Sequence, residues 1–162
     1  MSARGAEADA AAALADRAAY LEGLARFNAG DYHASHDAIE DLWLRNRSAA
    51  RPFFQGLIQL AAAGLHLERG RKGPALALLR QAEARLRPFE AGMLGLEVAP
   101  LLLEMVALGR HIGSLGAHRQ TDCDRCQMAQ LRYTVPSCED FFPHRGVAPH
   151  PLDTRRSLVA PR

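Results

Sequence analysis

The chain has 162 residues, of which 48% are hydrophobic, with 20 Lys and Arg against 18 Asp and Glu. This length accommodates one globular domain with some excess and excludes a second large one. Residues 1–116 hold 13 basic and 13 acidic side chains, a balance that excludes the basic face of a nucleic-acid-binding domain. No uncharged apolar run reaches the ~18 residues of a membrane span, so we expect a cytoplasmic protein with neither a signal peptide nor a membrane partner.

The apolar residues of the first 116 positions predict five helices. They recur at steps of three and four, and no alternating β-branched run indicates a strand. The predicted helices cover approximately residues 8–27, 31–45, 52–70, 75–87 and 97–110. We therefore expect an all-α fold, an antiparallel helical bundle of about five helices arranged as helical hairpins, followed by a largely irregular C-terminal tail.

Turn and capping residues set the boundaries of these helices. Gly30 suits a left-handed cap after the first helix, and Asp31 can accept the free amides of the second. Pro52 and Pro74 each suit a first helical turn, where a missing N–H costs nothing, so they should open the third and fourth helices. Gly109 and the nearby Gly113 should fray the end of the fifth.

A weak internal repeat supports the hairpin arrangement. Gly30-Asp31-Tyr32 recurs 40 residues later as Gly70-Arg71-Lys72, with small and aliphatic residues following both. Tetratricopeptide units have a similar spacing but repeat at about 34 residues and need at least three copies. One functional hypothesis is therefore a tetratricopeptide-like interaction module whose partner is another protein or a second copy of the chain.

The third predicted helix is apolar nearly all round, which indicates a central position, yet three polar residues follow one stripe along it. These are Gln55, Gln59 and His66, at spacings of four and seven. Because an unsatisfied buried polar group costs about 1–3 kcal/mol, something polar should face this stripe. We expect the second helix to provide it.

The second predicted helix carries His33, His36, Asp37 and Glu40 on one face. His36 and Glu40, one turn apart, can offer a nitrogen and an oxygen to one divalent metal ion, with zinc as one candidate. His66 would be the third ligand of a partly open site. Gln55, Gln59 and Trp43 would surround and orient these ligands.

Two alternatives remain open for these polar residues. In the first, His36, Glu40, Gln59 and His66 form a closed hydrogen-bond network that fixes helix register without an ion. In the second, the metal supports hydrolysis, with bound water activated by the ion and Glu40 or Asp37 handling protons. No sequence feature specifies a substrate.

The residues around this candidate site also resemble a known family. The quoted segments are 27–32 (FNAGDY), 36–43 (HDAIEDLW), 54–61 (FQGLIQLA) and 66–70 (HLERG). Together, over about residues 20–112, they resemble the prokaryotic family known as domain of unknown function 309, with its signature His-x3-Glu-x2-Trp at His36, Glu40 and Trp43. The resemblance implies an all-helical domain with a metal-binding signature and no established reaction.

Residues 117–162 differ from the body in composition, which places a domain boundary near residue 116. This segment holds all three cysteines, five of the nine prolines, and 7 Arg against 5 acidic residues. Cys123, Cys126, Cys138 and His144 have the ligand count of a Cys3His zinc site. The alternative is a poorly ordered tail with unligated thiols and no packed core of its own.

Overall fold

A computed structural model describes residues 3–115 and 128–141, and within these ranges the fold is all-α, as predicted. The five helices are α1 (Ala3–Asn28), α2 (Tyr32–Arg45), α3 (Arg51–Glu68), α4 (Lys72–Leu86) and α5 (Val98–Ser114). Two short 3₁₀ helices follow α4 and end the described chain, at Arg87–Phe89 and Cys138–Phe141. None of the described helices is long and apolar enough to cross a membrane.

Helix α1 begins at Ala3, earlier than the predicted residue 8, and helices α4 and α5 differ from the prediction at one boundary each for clear reasons. Helix α4 begins at Lys72, so Pro74 is its third residue. This position is tolerated because the N–H groups of the first turn have no partner within the helix. Helix α5 continues through Gly109 and Gly113 to Ser114. Tertiary packing offsets the low helix propensity of glycine there, because Ile112 is buried in the core.

The two tight turns of the bundle share one geometry. Gly30 and Gly70 have positive φ values of 81° and 66°, and the N–H of each donates to a carbonyl three residues earlier, at 2.9 Å. In the first turn, the Asp31 carboxylate accepts a hydrogen bond from the N–H of Ala34 at 3.1 Å. The predicted left-handed cap and N-cap are therefore confirmed, and the repeat seen in the sequence corresponds to two matched hairpin turns.

Consecutive helices pack side by side, and α3 lies between α2 and α4, the central position predicted from its composition. Two glycines on α3 allow these neighbours to approach closely. A Cβ at Gly64 would come within 2.9 Å of the ring of Tyr32 on α2, and one at Gly56 would meet Leu86 of α4 at the same distance. The glycines thereby determine which face of α3 each neighbour covers.

Residues 128–141 pack against this bundle. Met128, Ala129 and Leu131 are buried, and the ring of Phe141 lies 5.6 Å from that of Tyr20 on α1. The sequence pattern does not predict this packing, and the domain boundary near residue 116 stays a prediction. Cys138 is half-buried and free. The other proposed zinc ligands of the tail, Cys123, Cys126 and His144, lie outside the described residues.

Candidate metal site

Helix α2 brings three metal-ligand side chains together on its surface. His36, Asp37 and Glu40 occupy positions i, i+1 and i+4, which lie within about 100° of one another around a helix axis. Each offers one ligand atom, and these atoms all lie within 4.8 Å of one another. His36 Nδ1 is 3.2 Å from Asp37 Oδ1 and 4.0 Å from Glu40 Oε2. We call these three residues the α2 triad.

The helix holding the α2 triad is anchored on both sides. The N-cap Asp31 fixes its first turn, and the Tyr32 ring packs in the space over Gly64 of α3. On its buried face, Ile39 and Leu42 are at most 2% exposed and join the common core. The triad therefore lies on a rigid element with a defined orientation, which is the condition for ligand side chains to converge.

The α2 triad is open to solvent and carries negative charge. The side chains of Asp37 and Glu40 are 60% and 45% exposed, and that of His36 is 28% exposed. His33, one turn before Asp37, places its Nδ1 3.2 Å from Asp37 Oδ2 and is also exposed. Two carboxylates beside one imidazole attract a cation, although water and salt screen such exposed charges.

The donor atoms are close to the spacing that a metal ion requires. Ligands bound at about 2.1 Å lie roughly 3 Å apart when they occupy adjacent coordination positions. The His36–Asp37 distance already meets this value, whereas Glu40 Oε2, 4.0 Å from His36 Nδ1, must move closer for all three to bind one ion. Three protein ligands from one helix would leave the remaining coordination positions to water.

The structure does not bring His66 to the α2 triad. His66 follows Gly64 by two residues, about 200° around α3, so it lies on the side away from the contact with Tyr32 of α2. Its Nδ1 atom is buried and has no hydrogen-bond partner. The polar stripe of α3 thus faces a different direction from the one expected, because Gly64 turns the opposite face toward α2.

The two glutamines of the stripe also lie apart from the triad. Gln59 donates through Nε2 to Gln81 Oε1 of α4 at 3.1 Å, and Gln55 is half-buried on the same side of α3. Gln59 also lines a shallow pocket of about 440 Å³ between α3 and α4. Its hydrogen bond therefore belongs to the α3–α4 contact, and the expected network of His36, Glu40, Gln59 and His66 is not formed in the structure.

Trp43, the aromatic residue of the His-x3-Glu-x2-Trp pattern, lies one turn beyond Glu40 and makes a contact between helices. The guanidinium carbon of Arg51 lies 4.3 Å from the centre of its ring, a cation–π arrangement that connects α2 to the start of α3. The indole also packs against the core. Trp43 thus holds α2 in place and supports the triad through the helix.

Asp37 is the member of the triad to which the sequence hypothesis gave a proton-handling role and no role as a ligand. Its signal was present, because Asp37 shares the helix face of His33, His36 and Glu40. An i, i+1 pair on a helix normally diverges by about 100°, so spacing alone does not place Asp37 beside His36. Only the side-chain rotamers show that the two meet at 3.2 Å.

Comparison with known proteins identifies one match. Residues 20–78 match the family described as Domain of unknown function (DUF309), which confirms the resemblance over that range. Neither a curated protein nor a solved structure matches the chain. The matched range begins in α1 and ends in α4, so it includes both hairpin turns and the whole α2 triad. Over residues 20–78 the chain is therefore similar to the domain family DUF309.

Proposed function

We propose that this protein binds a divalent metal ion through His36, Asp37 and Glu40. The observation that carries the proposal is the convergence of one imidazole nitrogen and two carboxylate oxygens within 4.8 Å on a single helix face. The i, i+4 pair of His36 and Glu40 spans one helical turn, and Asp37 adds a third donor beside His36. This donor set needs no ligand from α3, so it replaces His66 of the sequence hypothesis with Asp37.

The donor chemistry narrows the class of ion. One nitrogen and two carboxylate oxygens suit Zn²⁺, Ni²⁺ or Mn²⁺ better than Mg²⁺, which prefers oxygen ligands and retains its water. Both carboxylates of the triad serve as ligands in this proposal, so neither is reserved as a proton carrier. We therefore propose metal binding and assign no reaction to the site.

Equilibrium dialysis of the untagged full-length chain tests the proposal. The chain is dialysed separately against Zn²⁺, Ni²⁺ and Mn²⁺, and bound metal is measured by elemental analysis. We expect about one ion per chain for wild type and at least tenfold weaker binding for His36→Ala and for Glu40→Gln. Each lost ligand should have this effect because the proposed site has only three.

Three control variants locate the ion if it binds elsewhere. His111→Ala removes an exposed histidine of α5 and should leave binding unchanged. His66→Ala reports on the third ligand expected from sequence. A triple variant with Cys123→Ser, Cys126→Ser and Cys138→Ser reports on the zinc site proposed for the tail. Binding that depends on His66 or on the cysteines, and not on His36, would refute the α2 triad.

A further inference from the structure

Residues 128–136, which we call the strap, lie in extended form on a groove of the helical bundle. The groove is formed by one face of α1, the start of α5, and the turn that precedes α5. The strap belongs to no helix, and it makes one bridge-type pairing with the groove, between Tyr133 and Leu96 of that turn. Most of its hydrogen bonds with the groove are made by its backbone.

Asn28, the last residue of α1, makes the central contact. Its Nδ2 donates to the carbonyl of Leu131 at 2.8 Å, and its Oδ1 accepts from the N–H of Leu131 at 2.8 Å. One side-chain amide thus satisfies both backbone groups of one residue. This pairing recognises an extended peptide without regard to the identity of its side chain.

Most other hydrogen bonds along the strap follow the same pattern, and the exception is the Arg132 side chain, which pairs with Glu104 of α5 at 3.1 Å. The N–H of Glu97 donates to the carbonyl of Arg132 at 2.8 Å, and the N–H of Thr134 donates to the carbonyl of Gly95 at 2.9 Å. Arg17 Nε donates to the carbonyl of Pro136 at 2.7 Å. Backbone pairing of this kind is how grooves and sheet edges bind extended peptides in many complexes.

The dimensions of strap and groove agree. Arg17 and Asn28 are separated by eleven residues of helix, or about 16 Å at 1.5 Å per residue. Their partners Pro136 and Leu131 are five residues apart, which also spans about 16 Å in extended chain. The strap therefore runs along α1 in the direction opposite to it.

The strap buries some of its apolar side chains against the groove and exposes its polar ones. Leu131 is 5% exposed and Pro136 is buried, while Gln130, Arg132 and Thr134 face solvent. The groove also depends on a glycine, because a Cβ on Gly95 would lie 2.2 Å from the carbonyl oxygen of Thr134. The groove is thus shaped for the close approach of a peptide backbone with a buried apolar residue opposite Asn28.

We propose that this groove is a peptide-binding site, which the strap occupies within its own chain and which accepts the strap of a second copy when the resident one is displaced. Most of these contacts are directed to the backbone, and a second copy carries the same strap sequence, so the contacts are the same whichever molecule supplies the segment. A tethered segment has an effective concentration on the order of a millimolar. The resident strap therefore excludes a free one at micromolar concentrations.

Two complementary variants test the proposal in the full-length chain. Leu131→Asp weakens the strap and leaves the groove intact, whereas Asn28→Leu impairs the groove and leaves the strap intact. Each variant alone should sediment as wild type does. Their equimolar mixture should form a heterodimer, because the groove of the first can take the strap of the second. A mixture that sediments as the sum of its parts would contradict the proposal.

A labelled peptide of residues 128–141 with Cys138→Ser provides an independent measurement. Fluorescence anisotropy should show at least tenfold tighter peptide binding to Leu131→Asp than to wild type. The double variant Asn28→Leu with Leu131→Asp should lose this gain. Leu131→Ala serves as a milder variant if circular dichroism shows that Leu131→Asp loses its helices. The proposal is overturned if Leu131→Asp and Leu131→Ala both unfold, or if the folded variant binds the peptide no more tightly than wild type does. Either result would show that the strap is a fixed part of the fold.

Discussion

Tyr20 lies in α1 with its ring packed among the aromatic side chains of the core. Its ring centre is 5.6–6.4 Å from those of Phe53, Phe54 and Phe141, and the residue is fully buried. The hydroxyl is also buried and has no hydrogen-bond partner. Burial raises the pKa of the Tyr20 phenol far above its usual range, and the neighbouring Tyr133 raises it further.

We expect Tyr20→Phe to increase the free energy of unfolding by about 1 kcal/mol, because it removes a desolvated polar group and keeps the ring. The raised pKa also predicts a pH dependence. Above about pH 10 the phenol ionises in the unfolded state and stays protonated in the folded state, so stability falls as pH rises. Urea unfolding at neutral and at alkaline pH measures both effects.

The alkaline loss should be smaller in Tyr20→Phe than in wild type. Some loss should remain, because burial and the charge of Glu68 also raise the pKa of Tyr32. Tyr133→Phe is the control, since it leaves the Tyr20 phenol in place and should retain most of the loss. An equal alkaline loss in Tyr20→Phe and wild type would contradict this account of the core.

Individual site residues could be predicted only in part. The spacing of His36 and Glu40 placed them on one helix face correctly, because the helical period fixes that relation. Asp37 depends on rotamers, and the direction of Gln59 depends on which face of α3 each neighbour covers. Neither property can be derived from periodicity, so the sequence predicts that the stripe of α3 faces α2, whereas Gln59 contacts α4.

The glycines of the helices show how neighbouring elements are positioned. Gly64 permits close contact between α2 and α3, whereas an added Cβ at Gly113 of α5 would meet no atom within 4 Å. We expect Gly64→Ala to destabilise the protein by about 1–3 kcal/mol, because its Cβ would clash with the Tyr32 ring. Gly113→Ala should stabilise it by up to about 1 kcal/mol, since alanine favours helix.

Urea unfolding of the two glycine variants tests this difference. The matched pair separates the general effect of alanine in a helix from the specific contact between helices. If Gly64→Ala were neutral or stabilising, α2 and α3 would not be held by the contact that positions the α2 triad. The helices themselves were predictable from apolar period and caps, but this close approach was not, because a glycine in a helix carries no signal of its partner.

At the scale of the whole molecule, the sequence predicted the five helices but not the packing of the strap against them. The all-α class and the order of five helices followed from local patterns. The packing of residues 128–136 on α1 depends on contacts between positions more than 100 residues apart, such as Asn28 with Leu131. Composition could mark a change near residue 116 but could not show that part of the segment beyond it returns to the bundle.

A metal ion has three candidate locations in this protein: the α2 triad, His66 on α3, and the cysteines of the tail. Side-chain ¹H–¹⁵N NMR during a Zn²⁺ titration distinguishes them most directly, because coordination changes the ring nitrogen resonances of the histidine involved. We predict saturable changes at His36 with none at His66 or His111. Saturation at His66, or zinc uptake that leaves His36 unchanged, would contradict the assignment of the site to α2.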